Sequence, residues 1–289
     1  MSKATDKEIK EKYAPKNLPK ISNPIVYFLR CFLKIFFTVY FAVGAVFLAI
    51  FVFPFIRLFS LRKKKDFGII AREYVSHTFR VFLSTLSFLG GTRLIVEPDA
   101  DYKNISKKII VANHPSLLDF VYIMSMVPNS TCIVRGGLTK GPFAGVIKQA
   151  YITNTTSFDE MCIECKKLTD QDCNVIIFPE GTRTPRNCRN NYKKGAARIA
   201  LYCGCDVQPI FIGGSDKYGL GKYDPLWSFN HVERYVYDFK KLPVISIDEY
   251  KDLSEPIAAK HLTEKMEEVI LAAAADYEKN HPTLTLNNV

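Results

Sequence analysis

The sequence predicts an α/β fold: a mostly parallel, mixed and twisted sheet flanked by helices, with an N-terminal membrane-associated helical segment. Three observations predict it. Short apolar runs alternate with longer segments of helical periodicity, the pattern of strand–helix–strand units. Two of those runs stop at loops dense in polar side chains, where open α/β sheets place their ligands. Residues Ile35 to Ile56 carry no charge and are rich in Phe, Val, Ala and Leu. With 289 residues, 48% of them apolar, the chain can build one sizeable domain plus an extra segment.

Residues 1–22 are Lys-rich and proline-broken, and are expected to form a basic mobile arm. Residues 23–66 read as a membrane anchor, either a re-entrant hairpin or a single span. At about 1.5 Å per residue the uncharged run reaches across a hydrocarbon core of about 30 Å. Arg30 and Lys34 precede it, and Arg57 with Arg62-Lys63-Lys64-Lys65 follows it, so the flanking charge gives no orientation. Gly44 and Pro54 permit a bend, which favours the hairpin. The run starts too late and is too long for a cleaved signal peptide.

The sheet-and-helix domain is assigned to 67–289. Gly68 to Gly91 is an amphipathic helix with Tyr74, Phe79, Phe82, Leu83 and Leu86 on its apolar face and His77 packed within it. Strands are expected at Thr92–Glu97, Ile109–Ala112, Thr131–Arg135, Ala150–Thr153, Asn174–Phe178, Val207–Ile212 and Val232–Phe239. Helices are expected at Pro142–Gln149, Phe158–Thr169, Tyr192–Cys203 and Ile257–Tyr277, with a frayed polar tail to Val289.

The Ile109–Ala112 strand opens into Asn113-His114-Pro115-Ser116, and Asp119 follows in the first turn of a helix. His114 suits proton transfer near neutral pH, and Asp119 can reach back to its ring. The same residues also read as an ordinary helix start, with Ser116 as N-cap. The Asn174–Phe178 strand ends in Pro179-Glu180-Gly181-Thr182-Arg183. If the two strands are parallel, both loops leave the same edge. Gly181 lets a ligand approach the backbone, Thr182 offers a hydroxyl, Arg183 a fork suited to phosphate, and Glu180 an acceptor for a substrate hydroxyl. The competing reading is a turn closed by a Glu180–Arg183 ion pair. Lys193-Lys194-Gly195 opens a helix, a place that favours anions.

A net charge of +10 suits an anionic partner such as a membrane or a phosphorylated substrate. With no zinc-finger spacing and no basic recognition helix, nucleic acid is not expected as a partner. The eight cysteines, including Cys162/Cys165 and Cys203/Cys205, read as reduced structural thiols and not as a disulfide framework or a metal site.

In this order the residues resemble the lysophosphatidic acid acyltransferase (PlsC-like) type of glycerolipid acyltransferase. NHPSLLD at Asn113–Asp119 matches that family's NHxSxxD block, and FPEGTR at Phe178–Arg183 its phosphate-site block. Tyr192-Lys193-Lys194-Gly195, Val207-Gln208-Pro209-Ile210 and the stretch from Arg135 through Lys140 to Gly145 resemble the remaining blocks. The resemblance covers Leu86 to Pro243. It implies a membrane-bound O-acyltransferase of phospholipid biosynthesis, passing an acyl group from acyl-CoA or acyl carrier protein to a lysolipid hydroxyl without metal or other cofactor. It implies His114 as general base, Asp119 as its orienting carboxylate, and Glu180, Gly181, Thr182, Arg183, Arg135, Lys140 and Lys194 as substrate-binding residues. The expected location is the cytoplasmic face of the inner membrane or of an internal membrane. One position departs from the pattern. Where the family carries a basic residue associated with acceptor binding, this chain has Gln149-Ala150-Tyr151-Ile152-Thr153-Asn154, which leaves a non-glycerophosphate acceptor open. A thioesterase-like hydrolase and a non-catalytic membrane scaffold are the readings from other classes.

Overall fold

Our computed structural model describes residues 21, 23–63, 66–134, 145, 151–153, 157–185, 188, 190–224 and 234–281. Most of the basic arm, Arg135, Lys140, Asn154 with Thr155, the 142–149 helix apart from Gly145, and the tail from 282 lie outside the described residues.

Asn23 starts the first helix, α1 (Pro24–Phe47). Its side-chain oxygen accepts the Ile25 and Val26 N–H groups, and Pro24 occupies the first turn, where no N–H is needed. The helix then passes through a π-turn, Leu48–Val52, into α2 (Phe53–Lys63). Pro54 accounts for the π-turn. It has no N–H to offer, its ring crowds the carbonyl one turn back, and the Phe53 N–H reaches five residues back to Leu48. The Pro24–Ser60 stretch is 37 residues long and apolar enough to cross a membrane, and only 11% of its most apolar window is buried. A core helix would be mostly covered.

The sequence leaves 23–66 open between a re-entrant hairpin and a single span, with the hairpin preferred. The backbone stays helical at Phe47, Leu48 and Phe53, so the run does not fold back at Gly44 or Pro54. The reversal comes after residue 63, where α3 (Phe67–Phe88) returns alongside. Phe53 lies 6.3 Å from Phe67 and Phe41 lies 5.2 Å from Phe82, centroid to centroid, which makes the pair antiparallel. The inner face of α3 is Ala71, Val75, Phe79, Phe82, Leu83 and Leu86. Tyr74 and His77, predicted to pack, fall on its exposed side.

The strands are β1 (Thr92–Val96), β2 (Ile109–Ala112), β3 (Ser130–Val134), β4 (Ile152–Thr153), β5 (Asn174–Ile177), β6 (Val207–Gly214) and β7 (Tyr235–Lys241). They form one sheet in the order β1-β7-β6-β2-β5-β3-β4, parallel at every pairing except β6 with β7. Among the described residues, the longer helices after α3 are α4 (Asp119–Met126), α5 (Phe158–Thr169), α6 (Gly195–Cys203) and α7 (Glu255–Asn280). Alternation along the strands sorts the side chains into two cores. Ile110, Ala112, Ile176 and Ile212 face α1–α4, while Ile109, Val111, Val175 and Phe211 face α5–α7. Cys162, Cys165, Cys203 and Cys205 are buried as thiols in the second core. Strand β2 lies between β5 and β6, so whatever its tip carries is flanked by two further strand ends.

Candidate active site

Where β2 ends, Asn113 continues the ladder with its side chain. Its Nδ2 donates to the Ile212 carbonyl at 2.9 Å and its Oδ1 accepts the Ile212 N–H at 2.8 Å. That anchor on β6 frees the next residue to project from the sheet edge. His114 does so with its ring stacked on Phe178, centroids 3.9 Å apart and planes within 16°.

The His114 Nδ1 lies 2.8 Å from Asp119 Oδ2. Asp119 is fully buried at the first residue of α4, and it also accepts the Ser116 N–H at 2.7 Å and the Ser116 hydroxyl at 2.5 Å. Ser116 is therefore not the helix N-cap that the plainer reading expected; Leu118 holds that position. The carboxylate can only accept, so Nδ1 carries the proton and the lone pair of the neutral ring sits on Nε2. Oriented this way, the imidazole can take a proton from a substrate.

The second loop meets the first. Strands β2 and β5 are parallel neighbours, and the Thr184 N–H donates to the His114 carbonyl at 2.9 Å. Glu180 accepts the His114 N–H at 3.0 Å and an Asn190 amide hydrogen at 3.2 Å. It holds the histidine loop in place, and the Glu180–Arg183 pair of the competing reading is not among the contacts of the described residues. Burial pushes the Glu180 carboxyl up to about 7, with the Asn190 and His114 hydrogen bonds opposing the rise.

Arg183 Nη1 donates to the carbonyls of Leu220 at 2.8 Å and Gly221 at 2.6 Å. The Leu117 N–H donates to the same Leu220 carbonyl, so the guanidinium braces a turn that closes over the histidine loop. Gly181 has φ +70, and a Cβ placed there would stand 2.8 Å from Lys193 Nζ. The ammonium of Lys193 thus lies beside the Glu180–Arg183 loop. Lys194 is exposed at the N-cap of α6. Thr182 is half-buried between Gly181 and Arg183.

Sequence reasoning missed four contributors: Phe178 as the stacking surface, Asn190 as the Glu180 partner, Lys193 ahead of Lys194, and Tyr237, whose hydroxyl lies 2.8 Å from Ser116 Oγ. Phe178 stood in plain view at the end of a strand. Tyr237 had no local signal, because it arrives on the antiparallel strand β7.

A half-buried histidine paired with a fully buried aspartate stands on the edge of this sheet, and residues 93–213 match the acyltransferase family. The chain belongs to that family. It is 30% identical over 173 residues to the 1-acyl-sn-glycerol-3-phosphate acyltransferase of Helicobacter pylori, covering 57% of this chain and 68% of that protein. It is 24% identical over 184 residues to the Haemophilus influenzae enzyme of the same name, covering 60% and 71%. Against the chloroplastic BAT2 enzyme of Brassica napus the identity is 28%, and the match spans 47% of that relative's length, about half of it. In fold the chain is similar to the crystal structure of the 1-acyl-sn-glycerophosphate acyltransferase PlsC from Thermotoga maritima. The TM-score is 0.61 at 23% identity, over 84% of this chain and 96% of that one.

Proposed function

We propose that the protein transfers a fatty acyl group from an acyl thioester, acyl-CoA or acyl carrier protein, to a hydroxyl of a lysophospholipid at a membrane surface. The observation that carries this reading is the imidazole of His114, held at Nδ1 by a buried carboxylate on the tip of β2 and tied to the Glu180–Arg183 loop. Nε2 of His114 takes the proton of the acceptor hydroxyl as its oxygen attacks the thioester carbonyl. The C–O bond forms, the C–S bond breaks, and the departing thiolate takes the proton back from the imidazolium. Asp119 holds the tautomer and stabilises that imidazolium, the part played by aspartate in a hydrolase triad, with the acceptor as nucleophile. Arg183, Thr182, Gly181 and Lys193 supply cationic and hydrogen-bonding groups for the acceptor's polar head. Arg135, Lys140 and Lys194 are further candidates for anionic groups of donor or acceptor. No metal or cofactor enters the reaction as written.

The names of the relatives favour 1-acylglycerol-3-phosphate as acceptor. Asn154 or Thr155, standing near the place where the resembling family carries a basic residue, favours a second acceptor class without glycerol phosphate. Purified protein in mixed micelles with labelled acyl-CoA, assayed with and without a lysolipid series, tests both. We expect ester formation that depends on lysolipid; thioester consumption without it would establish hydrolysis instead. His114→Ala is expected to cut transfer by at least about 10²-fold with the fold intact, and retained turnover in that variant refutes the general-base role.

A further inference from the structure

Asp119 orients His114, so the groups that orient Asp119 matter in turn. Ser116 Oγ lies 2.5 Å from Asp119 Oδ1 and 2.8 Å from the Tyr237 hydroxyl. A serine hydroxyl has one proton, and the carboxylate can only accept, so that proton points at Asp119. The Ser116 oxygen is left with its lone pairs. One receives the Leu118 N–H at 3.2 Å, and the other must receive the Tyr237 hydroxyl as donor. Proton counting alone thus fixes the direction of the chain: Tyr237 to Ser116, Ser116 to Asp119, and Asp119 accepting from His114.

Everything around Tyr237 suits a fixed donor. Its side chain is wholly buried on β7, 121 positions along the chain from Ser116. Its ring lies 4.4 Å from that of Tyr122 on α4, and Lys217 Nζ sits 4.7 Å from the ring centroid. A cation over the ring face draws electron density from the phenol and strengthens its O–H as a donor. Burial holds the phenol pKa well above its ordinary value, so the donor persists through neutral pH.

We propose that Tyr237 is a positioning residue of the transfer site, locking the Asp119 carboxylate through Ser116 and thereby the tautomer and aim of His114. The proposal rests on the general-base reading of His114 and adds to it a buried residue from β7, two strands from β2 on the same face of the sheet.

The test is kinetic. Tyr237→Phe removes one oxygen and leaves the ring packing. With acyl-CoA and the lysolipid acceptor we expect kcat to fall about tenfold while both KM values stay within about twofold. In a Ser116→Ala background the same change should cost less than about twofold, because its route is already cut. A wild-type kcat in Tyr237→Phe, an equal fall in both backgrounds, or a loss confined to KM overturns the proposal. Should Tyr237→Phe fail to fold, Ser116→Ala decides, since it severs the route with Tyr237 in place; a wild-type kcat there is fatal to the idea. Controls separate the two levels. A wild-type chain without transfer, or an active His114→Ala, overturns the functional reading and the Tyr237 role with it. An active wild type, an inactive His114→Ala and an unaffected Tyr237→Phe overturn the Tyr237 role alone.

Discussion

Glu180 is 5% exposed, and burial raises its carboxyl from 4.5 to about 7 against the pull of two hydrogen bonds. Between those two values the unfolded chain has released a proton that the folded chain still holds. Stability therefore falls as pH rises through this window and levels off above about 7, a cost on the order of 3 kcal/mol. Lys217, lowered to about 8 by burial, adds its own slope only above that window. The carboxylate stays in place because its Oε1 position is needed: it receives the backbone N–H of the residue that performs the proposed proton transfer. Glu180→Gln keeps an acceptor there and removes the charge. We expect its thermal midpoint in detergent to lose the decline seen in the parent between about pH 4.5 and 7; an unchanged slope would place the titration elsewhere.

At the scale of elements, the two strand tips were legible because each is a short apolar run cut off by residues that cannot continue it, Asn113-His114-Pro115 after β2 and Pro179-Glu180-Gly181 after β5. Their neighbourhood followed from the parallel pattern alone. The face of α3 was half legible: Phe79, Phe82, Leu83 and Leu86 pack as read, while Ala71 and Val75 take the place assigned to Tyr74. A helical wheel could not choose between them without knowing where α1 lies. Strand β7 was not legible as part of the site. Tyr235-Val236-Tyr237-Asp238-Phe239 reads like any strand, and nothing local marks Tyr237 as the residue that meets Ser116. What aims it is the β6–β7 pairing, where Gly214 stands opposite Tyr237 with φ +107. A Cβ on Gly214 would lie 2.0 Å from the Val236 carbonyl oxygen, a backbone atom with nowhere to go. Gly214→Ala is expected to cost on the order of 3 kcal/mol from the disfavoured backbone and the displaced strand. Chemical denaturation should show the loss, and a shift under about 0.5 kcal/mol would mean the pairing yields more easily than its geometry allows.

For the whole molecule the question is what holds the protein to a bilayer, its charge of +10 or its apolar helices. Phe28, Phe32, Phe51 and Phe55 of the α1–α2 run are each more than 60% exposed. Burying a side chain of this kind is worth about 1.5–3 kcal/mol, so these four alone supply on the order of 10 kcal/mol. Basic residues near an anionic surface contribute about 1 kcal/mol each, and at 1 M salt the Debye length shrinks to about 3 Å, which removes most of that. The apolar term wins on magnitude. It is also coupled to the site by contact. Lys34 Nζ of α1 donates to the Gly219 carbonyl at 2.9 Å, in the same turn that Arg183 braces, and Arg30 donates to Gly90 at 3.3 Å before β1. The exposed apolar helix run thus touches the loop bordering His114, as the proposed transfer at a membrane surface requires. We expect the full chain to float with vesicles of zwitterionic lipid alone and to stay bound at about 1 M NaCl. Release by salt, or a strict need for anionic lipid, would show that charge holds the protein and that the exposed face of α1–α2 is covered by something other than acyl chains.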